Sequence, residues 1–145
     1  MPDLIHGHDW GEGSRPRVLV EAAEWQAREE LSAVLRQQGF DTVSCPGPEG
    51  AGQRCRLAAG DGCDAAEEAD VIVHALRSTD LRNVEALRAI RQRLPEVPVV
   101  VEAAAPDLGR RRTELDGCVV IEAPASPAAL VEGVNRALAS RRPAD

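Results

Sequence analysis

Short apolar runs alternate with amphipathic segments along most of this chain. The runs lie at residues 18–20, 41–44, 70–76, 98–104 and 118–123, and Val and Ile are frequent in them. Short runs rich in β-branched residues are typical of strands that are buried on both faces. The pattern therefore predicts five strands separated by helical segments.

Three of the intervening segments have the spacing of amphipathic helices. The first follows residue 24 and ends at Gly39, a residue that readily adopts a left-handed helix stop. The second is capped by Asp80 and ends before Pro95, and the third begins at Ser126 with Pro127 in its first turn. The third helix is expected to bury Leu130, Val131, Val134 and Leu138.

Two of the intervening segments have a weaker helical pattern. Residues 46–69 contain two prolines and five glycines, which predicts a loop with at most a short helix, and residues 106–117 read as a short polar helix. Strands that alternate with helices predict an α/β fold with a parallel sheet covered on both faces. In such sheets the functional crevice lies at the carboxyl ends of the strands.

The length of 145 residues fits one domain. Residues 17–140 carry the alternating pattern and are predicted to form this single domain. Residues 1–16 lack apolar periodicity and are predicted to be a flexible N-terminal arm, and residues 141–145 form a C-terminal tail.

The net charge of the chain argues against two classes of binding partner. A formal net charge of -7 opposes general binding to nucleic acid or to a membrane surface, because both need an excess of Lys and Arg. No apolar run is long enough to span a membrane, and the first residues do not resemble a signal peptide. A cytoplasmic location is expected.

Between Arg17 and Leu138 the sequence resembles the receiver domain of two-component response regulators. The resemblance rests on the ordered segments RVLV, GFDTVSC, ADVIVHAL, EVPVVVEAA and VVIEAPASPAALVEGVNRAL. It implies a flavodoxin-like (CheY-like) three-layer sandwich with a five-stranded parallel sheet in the order 2-1-3-4-5. The family places an acidic pair, a phosphoacceptor Asp, a Thr or Ser and a Lys after successive strands, where they bind a divalent cation and the phosphoryl group.

Carried over residue by residue, all five of those positions hold alanine here: Ala22, Ala23, Ala75, Ala103 and Ala123. A shift of one residue would give only isolated Glu residues and His74. The resemblance therefore implies a degenerate pocket that lacks both a magnesium site and an acceptor. The hollow that five alanines would leave could be filled by Trp10 or Trp25.

Cysteines are the remaining residues with reactive side chains. Cys45, Cys55 and Cys63 lie in or beside the Gly- and Pro-rich segment, with spacings that match no common zinc motif. Unliganded thiols, a redox-responsive disulfide, and a zinc or iron-sulfur site all remain open. Cys118 leads a strand and is expected to be a small core residue.

The run Arg110, Arg111 and Arg112 is a candidate interface, because receivers often dimerise or bind partners near their fourth helix; a solvated basic face is the alternative. Together these features predict a stand-alone, phosphorylation-incompetent pseudo-receiver that acts as a protein-interaction module in bacterial signal transduction. It is expected to have no enzymatic activity and no cofactor. The expected partner is a protein such as a signalling kinase or a regulator, or a second copy of the chain. The alternative function is a cysteine-based redox or metal sensor on the same fold.

Overall fold

The computed structural model describes Trp10 and residues 13–141. Its centre is a five-stranded sheet, in which all neighbouring strands are parallel. The strands are β1 (Arg17–Glu21), β2 (Asp41–Cys45), β3 (Val71–His74), β4 (Val99–Ala103) and β5 (Val119–Glu122). Their order is β2-β1-β3-β4-β5, which confirms the predicted flavodoxin-like α/β fold.

In the described part of the chain, six helices connect the strands, a seventh follows β5, and together they cover both faces of the sheet. They are α1 (Trp25–Gln37), α2 (Gly47–Ala51), α3 (Asp64–Glu68), α4 (Leu81–Arg93), α5 (Ala105–Arg110), α6 (Arg112–Leu115) and α7 (Pro127–Ser140). Helices α1 and α7 pack on one face, and α3 and α4 pack on the other. None of the helices in the described part of the chain is long and apolar enough to span a membrane.

The two faces are built from alternate residues of the same strands. In β1, Val18 and Val20 contribute to the core beneath α1 and α7, whereas Leu19 contributes to the core beneath α3 and α4. This alternation follows from the two-residue repeat of a strand. The last residues of β2, β1 and β3 are in register with one another, as are those of β4 and β5, so the strand ends meet at the carboxyl edge of the sheet.

The predicted helix ends are confirmed. Gly39 has φ +91° just after α1. The Asp80 side chain accepts a hydrogen bond from the Arg82 backbone N–H at 2.9 Å at the start of α4, and Ser126 Oγ accepts one from Ala129 N–H at 3.1 Å at the start of α7. The weak segment between β2 and β3 contains only the short helices α2 and α3, with turns between them.

Helix α7 is rotated relative to its predicted apolar stripe. It buries Leu130, Gly133, Val134 and Ala137, while Val131 and Leu138 are only partly buried. The reason is close packing at Gly133, where an added Cβ would lie 3.1 Å from Ile121 Cγ2. The small residues Gly133 and Ala137 let the helix approach the sheet more closely than larger side chains would allow.

Trp10 departs from the prediction of a flexible arm. Only 5% of its surface is exposed, and it belongs to the core cluster on the α3 and α4 face. The guanidinium carbon of Arg17 lies 5.7 Å from the centroid of its ring, a cation–π distance. The arm prediction is therefore wrong at Trp10. The rest of the predicted arm up to residue 12, and the tail beyond Arg141, lie outside the described residues.

Candidate functional site: the carboxyl edge of the sheet

The sheet brings the five alanines to one edge. Ala22, Ala75 and Ala123 each follow a strand directly, and their backbone N–H groups donate to carbonyls of the neighbouring strands at 2.9 to 3.1 Å. Ala103 ends β4, and Ala23 continues the loop after β1. Ala22 and Ala103 are buried, whereas the other three are partly exposed. The positions that the resemblance selected thus lie together, but they present only methyl groups, which offer no ligand to a hard divalent cation.

The glutamates beside the alanines do not replace the missing carboxylates. Glu24 and Glu122 are exposed to solvent. Glu102 accepts a hydrogen bond from the Ala125 backbone N–H at 3.0 Å, which ties the loop after β5 to the sheet. Within the described residues, none of these glutamates belongs to a group of three or more acidic, His or Cys side chains that could hold a metal ion.

A positively charged side chain already binds the backbone carbonyl oxygens of the loop after β1. Arg28 extends from α1 and donates from Nη1 to the backbone oxygens of Ala22 at 2.9 Å and Ala23 at 3.0 Å. Its guanidinium places a fixed positive charge beside Ala22 and Ala23. This charge repels a divalent cation and adds to the effect of the missing carboxylates.

Glu21 is turned into the sheet and pairs with His74. The two residues are register partners at the ends of β1 and β3, and Glu21 Oε1 lies 2.8 Å from His74 Nδ1. They are 4% and 1% exposed, respectively. An ionised carboxylate can only accept, so His74 donates from Nδ1, and its Nε2 has no hydrogen-bond partner among the described residues.

This pair is the main polar feature that the sequence prediction missed. His74 is fully buried, and only one of its ring nitrogens is hydrogen-bonded within the described residues. The signal was present in the sequence. Two ionisable residues end two apolar strands that are adjacent in a 2-1-3-4-5 sheet, and such residues must pair or remain unsatisfied.

The three clustered cysteines meet around a cavity of about 50 Å³. Cys45 ends β2, Cys55 lies in the turns after α2, and Cys63 directly precedes α3. Glu21 lines the same cavity, and much of the remaining wall is apolar, including Leu19, Leu57, Ala66 and Ile90. Since Cys45 is the register partner of Glu21, the row Cys45, Glu21 and His74 crosses three adjacent strands on one face of the sheet.

The thiols in this cavity are poor nucleophiles. Burial, with smaller contributions from Cys55 and the Glu21 carboxylate, raises the pKa of Cys63 to about 11. Burial and the Glu21 carboxylate also raise the pKa of Cys45 and Cys55 above the ordinary thiol value. All three are free thiols. Because the thiolate is the reactive form, this environment gives no support to a fast redox sensor.

The metal alternative also lacks a preformed site. Among Trp10 and residues 13–141, no group of three or more His, Cys, Asp or Glu side chains is placed to hold a metal ion. Cys118 lies apart from the other three, partly buried against the core as predicted. Zinc or iron-sulfur binding remains an untested prediction.

The arginine run does not form one basic face. Arg110 and Arg112 are exposed, but Arg111 is only 8% exposed and its guanidinium bonds to Glu114 at 3.1 and 3.3 Å. Arg111 is therefore removed from the candidate interface. Contact of Arg110 and Arg112 with a partner stays a prediction.

Two large apolar side chains are exposed at the carboxyl edge. Trp25 begins α1 and is 68% exposed, and Leu81 begins α4 and is 77% exposed. No other large apolar side chain in the described residues is comparably exposed. Neither tryptophan packs among the five alanines, because Trp10 lies beside Arg17 at the opposite edge and Trp25 faces solvent.

Comparisons with known proteins test the architecture. No family model and no curated protein match the sequence. Among solved structures, a CheY-like response regulator receiver domain protein from Methanospirillum hungatei JF-1 matches with a TM-score of 0.67 and 17% identity, over 88% of this chain and 97% of that chain. The chain has the receiver-domain fold.

Two further structures give the same result. The receiver domain of the Francisella response regulator 1452 matches with a TM-score of 0.67 and 19% identity, over 88% of this chain and all of that chain. NtrX from Brucella abortus, in complex with ATP, matches with a TM-score of 0.66 and 22% identity, but the match spans only 28% of that longer chain. At these identities the likeness concerns the fold alone, and the chemistry must be argued from the residues at the edge.

Proposed function

We propose that this chain is a phosphorylation-incompetent pseudo-receiver that acts as a protein-interaction module in bacterial signal transduction. The receiver fold supports a role in signalling. The observation that carries the proposal is an apolar rim at the carboxyl edge, where the family has polar and charged groups. The rim consists of the five alanines together with the exposed side chains of Trp25 and Leu81.

The apolar rim is suited to binding a protein. Exposing a large side chain such as tryptophan to water costs free energy that burial against a partner recovers, and aromatic residues are enriched among the residues that dominate interface energies. With no carboxylate pair and with Arg28 bonded to the first loop, the edge lacks the groups for phosphoryl chemistry. The expected partner is a signalling kinase or a regulator. Absence of enzymatic activity and a cytoplasmic location remain predictions.

The proposal is tested by comparing partners captured by two variants. The double variant Trp25→Ala/Leu81→Ala removes the apolar rim, while Gln37→Ala/Asn135→Ala changes exposed residues near the far end of α1 and on α7. Proteins that cross-link to the unmodified chain are identified by mass spectrometry and then purified for direct affinity measurement.

We expect one partner to bind the unmodified chain and the control variant equally, and to bind the rim variant at least about tenfold more weakly. A partner whose affinity is the same for all three proteins would place the interface elsewhere. The absence of any partner with measurable affinity would contradict the proposed function.

A further inference from the structure

The cavity behind the carboxyl edge is a separate feature from the apolar rim. Its wall is formed by the sheet on one side and by α2, the following turns, α3 and α4 on the other, and Glu21 contributes a carboxylate to it. We propose that this cavity binds a small uncharged ligand of the short-chain alcohol class. The hydroxyl group of the ligand donates a hydrogen bond to Glu21, and its alkyl part packs against the apolar wall.

The wall of the cavity is held in place without a ligand. Backbone hydrogen bonds of 2.8 to 3.1 Å fix the turns between α2 and α3, and Arg93 Nη1 donates to the Leu57 carbonyl oxygen at 3.0 Å. On the α2 side, Glu49 accepts hydrogen bonds from Arg77 Nε at 3.1 Å and from Asn83 Nδ2 at 3.2 Å. A ligand therefore meets a preformed site, and its binding needs little ordering of the protein.

The volume of the cavity limits the size of the ligand. The cavity holds about 50 Å³, and a water-sized group needs about 10–15 Å³ of such space. The ligand is therefore restricted to about four non-hydrogen atoms. Gln53 and Arg54 are exposed to solvent and also line the cavity, so a ligand of this size can enter beside them.

Most of the wall favours an alkyl group. Leu19, Leu57 and Ile90 line the cavity and are almost fully buried. Burial raises the pKa of the Cys45 and Cys63 thiols, so these side chains remain uncharged at pH 7 and behave as soft apolar groups. Contact with this wall removes apolar ligand surface from water.

Glu21 supplies an acceptor for one hydrogen-bond donor. Its side chain is only 4% exposed, and among the described residues its carboxylate has one hydrogen bond, from His74 Nδ1 at 2.8 Å. An ionised carboxylate has about four acceptor sites. A buried acceptor that lacks donors is costly, so a hydroxyl group that reaches Glu21 from the cavity stabilises the complex.

The charges around the cavity favour an uncharged ligand. An anion would meet the Glu21 carboxylate at short range in an apolar space, where like charges repel strongly. A cation would lose its hydration beside a carboxylate that already binds His74, and Arg54 and Arg56 also line the cavity. A neutral alcohol avoids both penalties.

The experiment compares four probes of the same size. NMR spectra of the backbone amides and side-chain methyl groups of the full chain are recorded during titration with 2-propanol, acetone, isopropylammonium or acetate. The titrations are repeated with Ala51→Leu, which fills the cavity from α2, and with Ala128→Leu, which makes the same change at an exposed position of α7 outside the cavity. Circular dichroism checks that each variant folds.

We expect 2-propanol to bind with a dissociation constant on the order of 10 mM or tighter, and its methyl protons to show nuclear Overhauser effects to the methyl groups of Leu57 and Ile90. Acetone has no donor for Glu21 and should bind at least about tenfold more weakly. Ala51→Leu should weaken 2-propanol binding by a similar factor, and Ala128→Leu should not change it.

The proposal is overturned if 2-propanol gives no saturable shifts, or if acetone or either charged probe binds as tightly as 2-propanol. Equal losses in the two alanine variants would also overturn it. The nuclear Overhauser effects are measured on the unmodified protein, so they decide the matter even where Ala51→Leu fails to fold. Their absence at both Leu57 and Ile90 would show that the alcohol does not enter the cavity.

Discussion

The buried pair of Glu21 and His74 gives a quantitative prediction about stability. Replacing Glu21 with Leu leaves Nδ1 of His74 without an acceptor, and replacing His74 with Leu leaves a buried carboxylate without a donor. Both side chains are almost fully buried and joined at 2.8 Å. Breaking a buried pair of this kind by removing one partner costs about 3 kcal/mol or more.

The double variant Glu21→Leu/His74→Leu removes both polar groups together. A buried pair replaced by apolar side chains leaves no group unsatisfied, so the loss should not exceed that of either single variant. The expected coupling free energy is therefore about 3 kcal/mol. Glu21→Gln serves as a control, since its amide oxygen still accepts from Nδ1 and its loss should be about 1 kcal/mol.

The assay is urea unfolding followed by far-UV circular dichroism, with the free energy of unfolding obtained by linear extrapolation. The unmodified protein and the four variants are all measured in one buffer at pH 7. If the stability loss of the double variant equals the sum of the two single-variant losses to within about 0.5 kcal/mol, the two residues act independently. That result would refute the assignment of a mutually dependent pair.

Three further predictions concern the cavity, a helix cap and the packing of α7. The raised pKa of Cys63, about 11, should lower its thiolate fraction at pH 8 by about 100-fold, so its alkylation rate should keep rising up to about pH 11; a plateau near pH 9 would contradict this. The hydrogen bonds from Arg82 lower the Asp80 pKa to about 2. Asp80→Ala should therefore reduce the melting temperature at neutral pH, and the difference from the unmodified protein should persist above about pH 4 and shrink as the pH falls toward 2; a difference independent of pH would exclude the ionised cap. Gly133→Val should destabilise the protein by about 1–3 kcal/mol, because Ile121 leaves no room for added methyl groups. Gly109→Ala, with open space around it, is the control, and equal unfolding free energies for both variants would contradict the packing argument.

Much of the fold was predictable because its signals are local. Short apolar runs, the cap at Asp80 and the stop at Gly39 each depend on a few neighbouring residues, and all three are confirmed. The strand order followed from the resemblance to receiver domains and is also confirmed. The failure at α7 has a tertiary cause. Periodicity selects the largest apolar residues of a helix, whereas the sheet is approached most closely at Gly133 and Ala137.

The candidate site was only partly predictable. The positions of the five alanines follow from strand ends, so the sequence places them correctly at one edge. The partners of Glu21, Arg28 and Arg111 depend on side-chain directions that the sequence pattern does not contain. The convergence of Cys45, Cys55 and Cys63 on one cavity depends on the path of an irregular segment, which no periodicity describes.

The carboxyl edge of this receiver fold is proposed not to support aspartyl phosphorylation. The most direct test incubates the chain with acetyl phosphate and magnesium and measures its intact mass before and after brief acid treatment. A receiver domain with an intact acidic pair and acceptor aspartate serves as the positive control. We expect no added phosphate on this chain under conditions that fully label the control. Magnesium-dependent phosphate uptake on an acidic residue at this edge would contradict it.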